Sequence, residues 1–481
     1  MVIVGGGITG LTAAYLLKQS GKRVAVLDRE RIGSGETGNT SAHVTHVTDM
    51  RLSELAGRFG RDAAKLIWDG GAAAIDLIES NVVALSLACG FQRVPGYLCA
   101  SFVETCGQVE TDTLRNEALL AAEFGFVARY TDIGPLTGKP AVSYADQAFF
   151  HPLEYLAGLA LAVNGDGSVV CEMAEVGEVL QDPLAVIVNG KTVACDDVII
   201  ATHVPLAGTT GLISALLFQT KLYPYSSYVL GAQIADDALA PGLYSDLSDP
   251  YYFLRVHEQR PDGARYAIFG GEDHKTGQET DTDARFASLE LALMNLVPSA
   301  RIERRWSGQV IESSDGLPFI GQIAEHQFVA TGYSGNGLTF GTLAGMVMRD
   351  AVMGVSNPWR ELFDPHRKAS SLGALATVIG ENIDYPYYMI ADRLRRNRRD
   401  GVESVAPGDG KVLTIGGRPV ACYRTSAGKV VKVSAVCTHL GCLVRWNSAE
   451  STWDCPCHGS RFTAEGLVLG GPAEAPLEPV D

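Results

Sequence analysis

Val2-Ile3-Val4-Gly5-Gly6-Gly7-Ile8-Thr9-Gly10-Leu11 opens the chain, and its reading decides the N-terminal fold. Three apolar residues make a buried strand and the glycines turn the chain. Leu11 to Gln19 continues as a helix with small residues where it must lie close to a sheet. Gly21 ends that helix, and Val24-Ala25-Val26-Leu27 is the next strand, so the segment reads as the start of a βαβ unit. Gly5, Gly7 and Gly10 fit G-x-G-x-x-G in the context that gives the pattern meaning, after a strand and at the opening of a helix. The first glycine permits the tight turn, the second lets backbone approach a pyrophosphate, and the third lets helix and strand pack closely. The helix N-terminus, with Ile8 and Thr9, offers free N–H groups and partial positive charge to phosphates. Asp28, at the end of the second strand, suits a ribose hydroxyl and disfavours a 2′-phosphate. A purely structural glycine turn is the bland alternative. This stretch alone does not separate NAD from FAD.

The whole chain has 481 residues, enough for two to four domains. Hydrophobic residues make up 46% and charged residues 20%, as in an ordinary globular protein with a sizeable core. With 39 basic and 55 acidic residues the formal charge is −16, which argues against general nucleic-acid binding. Arg393, Arg395, Arg396, Arg398 and Arg399 are a local exception. They read as a solvated helix end or linker, or as a docking patch for an acidic electron-transfer partner. No run of 18 apolar residues marks a membrane span, and no export signal is visible, so a cytoplasmic protein is expected. The first strand begins so close to Met1 that the true start codon is expected upstream.

Further along, helix-like patterns cover residues 50–80, Thr111 to Phe124 and 153–163, and Val198-Ile199-Ile200 reads as a buried parallel strand. From Lys221 to Gly271 the texture changes to alternating aromatic and polar residues, among them Tyr223, Tyr225, Tyr228, Tyr251, Tyr252 and Phe253. That is an antiparallel sheet, either plain core or the wall of an organic substrate site. Prolines punctuate residues 356–401, a connector with a helix from about Tyr387 to Arg396. Short strands follow at Lys411 to Ile415, Arg418 to Tyr423 and Lys429 to Val433, a small all-β domain of a size that profits from a metal staple.

Two more glycine-rich stretches settle the cofactor. Gly33-Ser34-Gly35-Glu36-Thr37-Gly38-Asn39-Thr40 follows the acidic strand. Ser314-Asp315-Gly316-Leu317-Pro318-Phe319-Ile320-Gly321 and Ala330-Thr331-Gly332-Tyr333-Ser334-Gly335-Asn336-Gly337-Leu338-Thr339 lie far downstream. With these, residues 1–355 resemble the glycine oxidase and D-amino-acid oxidase superfamily of flavoproteins, and most of all its gamma-glutamylputrescine oxidase-like branch. The resemblance implies FAD and an α/β Rossmann-like FAD-binding domain (about 1–80, 150–215 and 310–355). It is interleaved with an α+β antiparallel-sheet substrate domain (about 81–149 and 216–309). It places Gly335, Asn336, Gly337 and Leu338 at the flavin pyrimidine edge and Val176 at the adenine. Arg29, Thr37, Gly38, Thr40, His43, Ala201, Thr202, Asp315, Gly332 and Thr339 are further expected cofactor contacts. His203 stands where many relatives have glycine. His43 and His46 follow the second glycine loop: they line the flavin pocket, carry it covalently, or are satisfied core histidines. His46, Tyr252, Arg255 and Tyr333 are the substrate-pocket candidates. Arg255 would clamp a substrate carboxylate through its planar guanidinium, or is a surface strand cation.

Six of the ten cysteines are scattered, but Cys437, Cys442, Cys455 and Cys457 cluster with His439 and His458 in Cys437-Thr438-His439-Leu440-Gly441-Cys442 and Cys455-Pro456-Cys457-His458-Gly459-Ser460. C-x-H and C-x-x-H halves suit an iron–sulfur centre with two thiolates on one iron and two imidazoles on the other. A structural zinc site is the competing reading. Residues 402–481 resemble Rieske domains, which implies a [2Fe-2S] cluster on Cys437, His439, Cys455 and His458. The same resemblance implies a disulfide between Cys442 and Cys457, as in cytochrome-complex Rieske proteins. The expected function is FAD-dependent oxidation of a C–N bond in an amine or amino acid. Electrons would then pass through the cluster to an external acceptor (protein, quinone or oxygen). A flavin/iron–sulfur reductase serving a partner, and a redox sensor, are the other classes.

Overall fold

The computed structural model describes residues 1–205, 221–235, 239–249, 251–258, 265–367, 388 and 401–480. The arginines at 393–399 and the connector helix expected from Tyr387 to Arg396, apart from Tyr388, lie outside the described residues. The strand Val2–Val4 occupies the middle of a six-stranded sheet ordered Phe319–Ala324, Gln327–Thr331, Val198–Ile200, Val2–Val4, Ala25–Leu27, Val169–Cys171. Parallel pairing sets Ile3 beside Ile199 on one side and Val26 on the other. All three are fully buried, which is why these strands read as unbroken apolar runs. The helix after the glycine turn begins at Ile8, one turn earlier than its apolar pattern indicates. Its residues Ile8 to Leu17 are all buried, because the helix Gly337–Met353 covers its outer side. The helical stretch at 50–80 is two helices, Leu52–Phe59 and Arg61–Ala84, broken at Gly60 with φ +87°. In Val193 to Ala201 only Val198–Ile200 joins the parallel sheet. Lys191–Ala194 pairs instead in a three-stranded antiparallel sheet with Leu184–Val188 and Val176–Gln181.

The aromatic region builds an eight-stranded sheet ordered Arg301–Ser313, Leu222–Ile234, Arg265–Lys275, Phe253–Glu258, Gly242–Asp246, Gln92–Cys99, Ala141–Phe149, Ala128–Thr131. Pairing is antiparallel except between Gly242–Asp246 and Gln92–Cys99. Leu254 and Val256 point to the face that packs with Phe286 and Leu289 of the helix Thr282–Leu296. Alternation then turns Phe253 to the opposite face, which walls the functional cavity.

The C-terminal domain is two small antiparallel sheets. One is Gly410–Ile415, Arg418–Arg424 and Val430–Ser434, and the other is Arg445–Asn447, Thr452–Asp454, Arg461–Thr463 and Val468–Gly470. Trp453 and Phe462 are fully buried at its centre. The domain rests on the eight-stranded sheet and its helix. Ser307 donates to Glu450 at 2.6 Å, Gln278 donates to the Pro456 carbonyl at 3.1 Å, and Thr282 and Ser448 share a hydrogen bond of 3.2 Å. Among the described residues no helix is long and apolar enough to cross a membrane.

Candidate functional site

A cavity of about 930 Å³ runs from the glycine turn to the aromatic sheet. Its first end is built by local necessity. Gly5 has φ +103°, and a Cβ there would lie 2.5 Å from the Ala201 carbonyl oxygen. Asp28 Oδ2 accepts from the Gly6 N–H at 2.7 Å and Oδ1 from the Glu30 N–H at 2.9 Å, so the acidic residue clamps the turn. Each oxygen keeps a second lone pair for a ribose hydroxyl. Thr37 Oγ1 accepts from the Ile8 N–H at 3.2 Å, capping a helix whose N-cap, Gly7, has no side chain to do so. The far end is held by the late glycine loop. Asn336 accepts from the Asp49 N–H at 3.2 Å and donates to the Val47 carbonyl at 3.1 Å. The Tyr333 and Thr9 hydroxyls bond each other at 2.8 Å across the cavity wall.

Gly5, Gly7, Ile8, Thr9, Asp28, Arg29, Thr37, Thr40, His43, Val176, Ala201, Thr202, Tyr333, Gly335, Asn336, Gly337 and Leu338 all line this one cavity. Such a cradle, with free N–H groups at a glycine turn and a second helix N-terminus at the other end, fits an extended dinucleotide. The remaining expected contacts lie elsewhere, each for a visible reason. Gly10 and Gly38 pack against the carbonyls of Gly5 and Gly33, and Gly332 backs onto Ser313 and Leu222. Thr339 donates to the Thr45 carbonyl at 2.9 Å, bracing the chain behind the wall. Asp315 is taken by Arg367, at 2.8 Å from Nε and 2.7 Å from Nη2.

The substrate-pocket candidates need the same correction, Tyr333 apart. His46 is buried between Trp68 and Phe126, with ring centroids at 5.2 and 5.0 Å, and bonds Gln147. Tyr252 points to the opposite side of the sheet from the cavity, donating to Glu272 at 2.6 Å and stacking on Phe269. Its neighbours Tyr251 and Phe253 line the cavity instead. Arg255 shares Phe253's face but lies behind the wall, 5.5 Å over Phe149 and donating to the Ala42 carbonyl at 3.4 Å.

Two carboxyls that the sequence did not single out line the cavity. Burial, reinforced by Glu312 and Asp273, pushes Asp49 up to about 8 against the lowering effect of a 3.3 Å bond from Tyr251. Burial likewise lifts Glu36 to about 7, although its Oε2 accepts from the Gln309 N–H at 2.7 Å and Arg461 of the C-terminal domain attracts its charge. His43, buried and facing Arg255, is driven down to about 3 and stays neutral. Spacing could not have found Asp49, Glu36 or Gln309, because their partners lie hundreds of residues away.

The second site is a pair of matched loops. In one, the Cys437 N–H donates to the Cys442 carbonyl at 2.8 Å; in the other, the Cys455 N–H donates to the Ser460 carbonyl at 2.8 Å. The disulfide Cys442–Cys457 ties the loops together. Cys455 Sγ lies within 4.8 Å of both bridged sulfurs, but those are spent in the disulfide and are not thiolate donors. The free thiols of Cys437 and Cys455 hydrogen-bond each other, which lowers Cys437 to about 7 and raises Cys455. The rings of His439 and His458 stand edge to face, 4.9 Å apart, and burial keeps both neutral, the form that binds metal. Two thiols and two neutral imidazoles on facing loops fit a two-iron cluster. The Cys442→Ala/Cys457→Ala double variant is expected to lose about 3 kcal/mol, the chain-entropy value for a loop of this length. Denaturant unfolding of the C-terminal domain checks it, and an unchanged midpoint would refute it.

Comparison with known proteins agrees with both sites. Residues 1–351 match the family described as FAD dependent oxidoreductase (DAO), and residues 399–481 match the Rieske [2Fe-2S] domain. YhfW of Bacillus subtilis (strain 168), named for a Rieske 2Fe-2S iron-sulfur protein, is 31% identical over 100% of this chain and 93% of its own length. Gamma-glutamylputrescine oxidoreductase of Escherichia coli (strain K12) is 23% identical over 82% of this chain and 92% of its own. Glycine oxidase from Geobacillus kaustophilus superposes with a TM-score of 0.64 at 19% identity, over 76% of this chain and 98% of that one, a likeness of fold.

Proposed function

The chain belongs to the FAD dependent oxidoreductase (DAO) family and ends in a Rieske [2Fe-2S] domain, and from this premise we propose that it oxidises a C–N bond in an amine or amino acid and delivers the electrons through its cluster to an external acceptor. FAD and a Rieske-type [2Fe-2S] cluster are its cofactors. When bound, FAD takes a hydride from the C–H beside an amine nitrogen, and the cluster takes electrons one at a time. The observation that carries the reading is the shared wall. Leu469, Gly470, Gly471, Ala473, Glu474 and Ala475 of the C-terminal domain line the same cavity as the G-x-G-x-x-G turn. The gamma-glutamylputrescine oxidoreductase similarity supports an amine substrate.

In this proposal the Gly5–Thr9 turn, Asp28, Arg29, Thr37 and Val176 hold the dinucleotide, and Tyr333 with Gly335–Leu338 borders the flavin. Cys437, His439, Cys455 and His458 hold the iron, leaving the disulfide to fix the loops. The substrate carbon loses hydride and becomes an iminium, which water hydrolyses to a carbonyl and a free amine. Hydride leaves only a neutral amine, so the bound ammonium must first lose a proton. Asp49 lines the cavity beside Tyr251, and its raised pKa of about 8 suits it to take that proton near neutral pH. Tyr251 and Phe253 supply the apolar wall for the substrate chain. The acceptor is a redox protein or a quinone, with oxygen as the competing oxidant.

The test is anaerobic mixing of the purified protein with a panel of amines and amino acids, following flavin bleaching and cluster EPR together. Bleaching followed by a reduced Rieske signal is expected, and the donor that produces it names the substrate. No bleaching with any amine, but reduction by a nicotinamide donor or a partner protein, would replace this reading with that of an electron-transfer reductase.

A further inference from the structure

The geometry points to one fixed seat for the second cluster loop, made by Gln309 and Gln278, that presents His458 to the flavin cavity and makes it the side by which electrons enter the cluster. The inference rests on the proposed transfer from flavin to cluster. Gln309 is a strand residue of the eight-stranded sheet and faces both ways. It lines the cavity, and its Nε2 donates to the Gly459 carbonyl at 2.8 Å and to Thr276 Oγ1 at 3.2 Å. Gly459 is the residue after His458. One strand position to the side, Ile311 also lines the cavity, and it borders a small recess together with His458, Val204, Leu222 and Pro224. A single layer of packed side chains therefore separates the cavity from a proposed cluster ligand.

Close fit fixes this arrangement. A Cβ on Gly459 would lie 2.3 Å from Pro224 Cγ, and one on Gly277 would lie 2.7 Å from the carbonyl carbon of Cys455. Gln278 Nε2 donates to the Pro456 carbonyl at 3.1 Å, a second anchor on the same loop. On the other cluster loop, Leu440, next to His439, is 41% exposed. The two imidazoles thus sit in different surroundings, one against the flavin-bearing body and one beside an exposed side chain. Electron tunnelling weakens steeply with distance and passes better through packed atoms than through a gap, so the seated ring is the entry side. One electron leaves the reduced flavin and one ferric iron becomes ferrous. The second electron follows after the cluster has passed the first to a one-electron acceptor, and the flavin's protons go to solvent. Gln309 and Gln278 are positioning residues in this scheme.

The experiment uses the full chain loaded with both cofactors, with the flavin reduced by light in the presence of EDTA, so that no substrate need be known. Wild type, Gln309→Leu, Gln278→Ala and the double variant are compared by the rate at which the cluster signal follows flavin bleaching. Amide hydrogen exchange over residues 455–460 and EPR of the dithionite-reduced cluster are read on the same samples. The expected result is transfer slowed at least about tenfold in Gln309→Leu and further in the double variant, with faster exchange in the loop and an unchanged EPR spectrum. Because bleaching is read in the same trace, any effect of Gln309 on the cavity itself is separated out. Transfer within twofold of wild type in the double variant would overturn the seat, whether or not exchange rises. If the wild-type cluster never follows the flavin, the failure belongs to the proposed function.

Discussion

Replacing Cys455 by serine is expected to strip the C-terminal domain of its iron, from two atoms per chain to near zero, and to abolish the Rieske EPR signal while the flavin absorbance persists. Cys455 is 1% exposed, at the meeting point of both loops, with its thiol on Cys437. A serine hydroxyl is a far poorer iron donor than a thiolate, and three remaining ligands leave one iron half held. Cluster binding is also folding free energy for a domain with so small a core. The variant domain is therefore expected to unfold separately, at lower temperature than the rest. Cys422→Ser, at a fully buried cysteine among Val405, Leu413 and Val420, is the control and should keep its iron. Full iron content in Cys455→Ser would show that the ligand set is wrong.

Gly10→Val is expected to bring flavin content below a tenth of wild type while leaving the iron in place. The reason is a single contact. A Cβ at position 10 would lie 2.0 Å from the Gly5 carbonyl oxygen, a backbone atom that cannot swing aside as a side chain can. The helix must lift off the sheet, and the N–H groups of the glycine turn move with it. Overpacking of this kind costs about 1–3 kcal/mol in stability. The larger loss falls on binding, because the pyrophosphate contact depends on the same turn. Gly57→Ala, in the helix Leu52–Phe59 with open space around its Cα, should load normally and gain slightly in stability. The ratio of flavin to protein absorbance reads both variants. Normal loading of Gly10→Val would mean that the turn does not cradle the cofactor.

Both of these residues were legible in the sequence because each belongs to a motif whose members are close in the chain. A strand, a turn and a helix N-terminus occupy consecutive residues, so their chemistry is fixed before the rest of the chain folds. The same holds for Cys437 with His439 and Cys455 with His458, held by loops of four to six residues. Reading failed where a residue's direction was at issue. Tyr251, Tyr252 and Phe253 are chemically alike, and only the phase of the strand sends the first and third to the cavity and the second to the core. His46 and Asp315 look like site residues by type. Gln147 and Arg367, distant in sequence, claim them for structure.

The sequence by itself determined the two cofactor classes, the parallel strand–turn–helix opening, and a separate cysteine- and histidine-bearing β domain. Each is specified by local spacing. Only the tertiary structure decided that the two sites share a wall. The contacts that unite them run from Gln309 to Gly459, from Arg29 to the Leu469 carbonyl and from Ser307 to Glu450. Separations of 150, 440 and 143 residues leave no periodicity to read. Such pairs meet because buried backbone carbonyls and carboxylates must find donors wherever two packed surfaces close, and that requirement is met by shape, after folding.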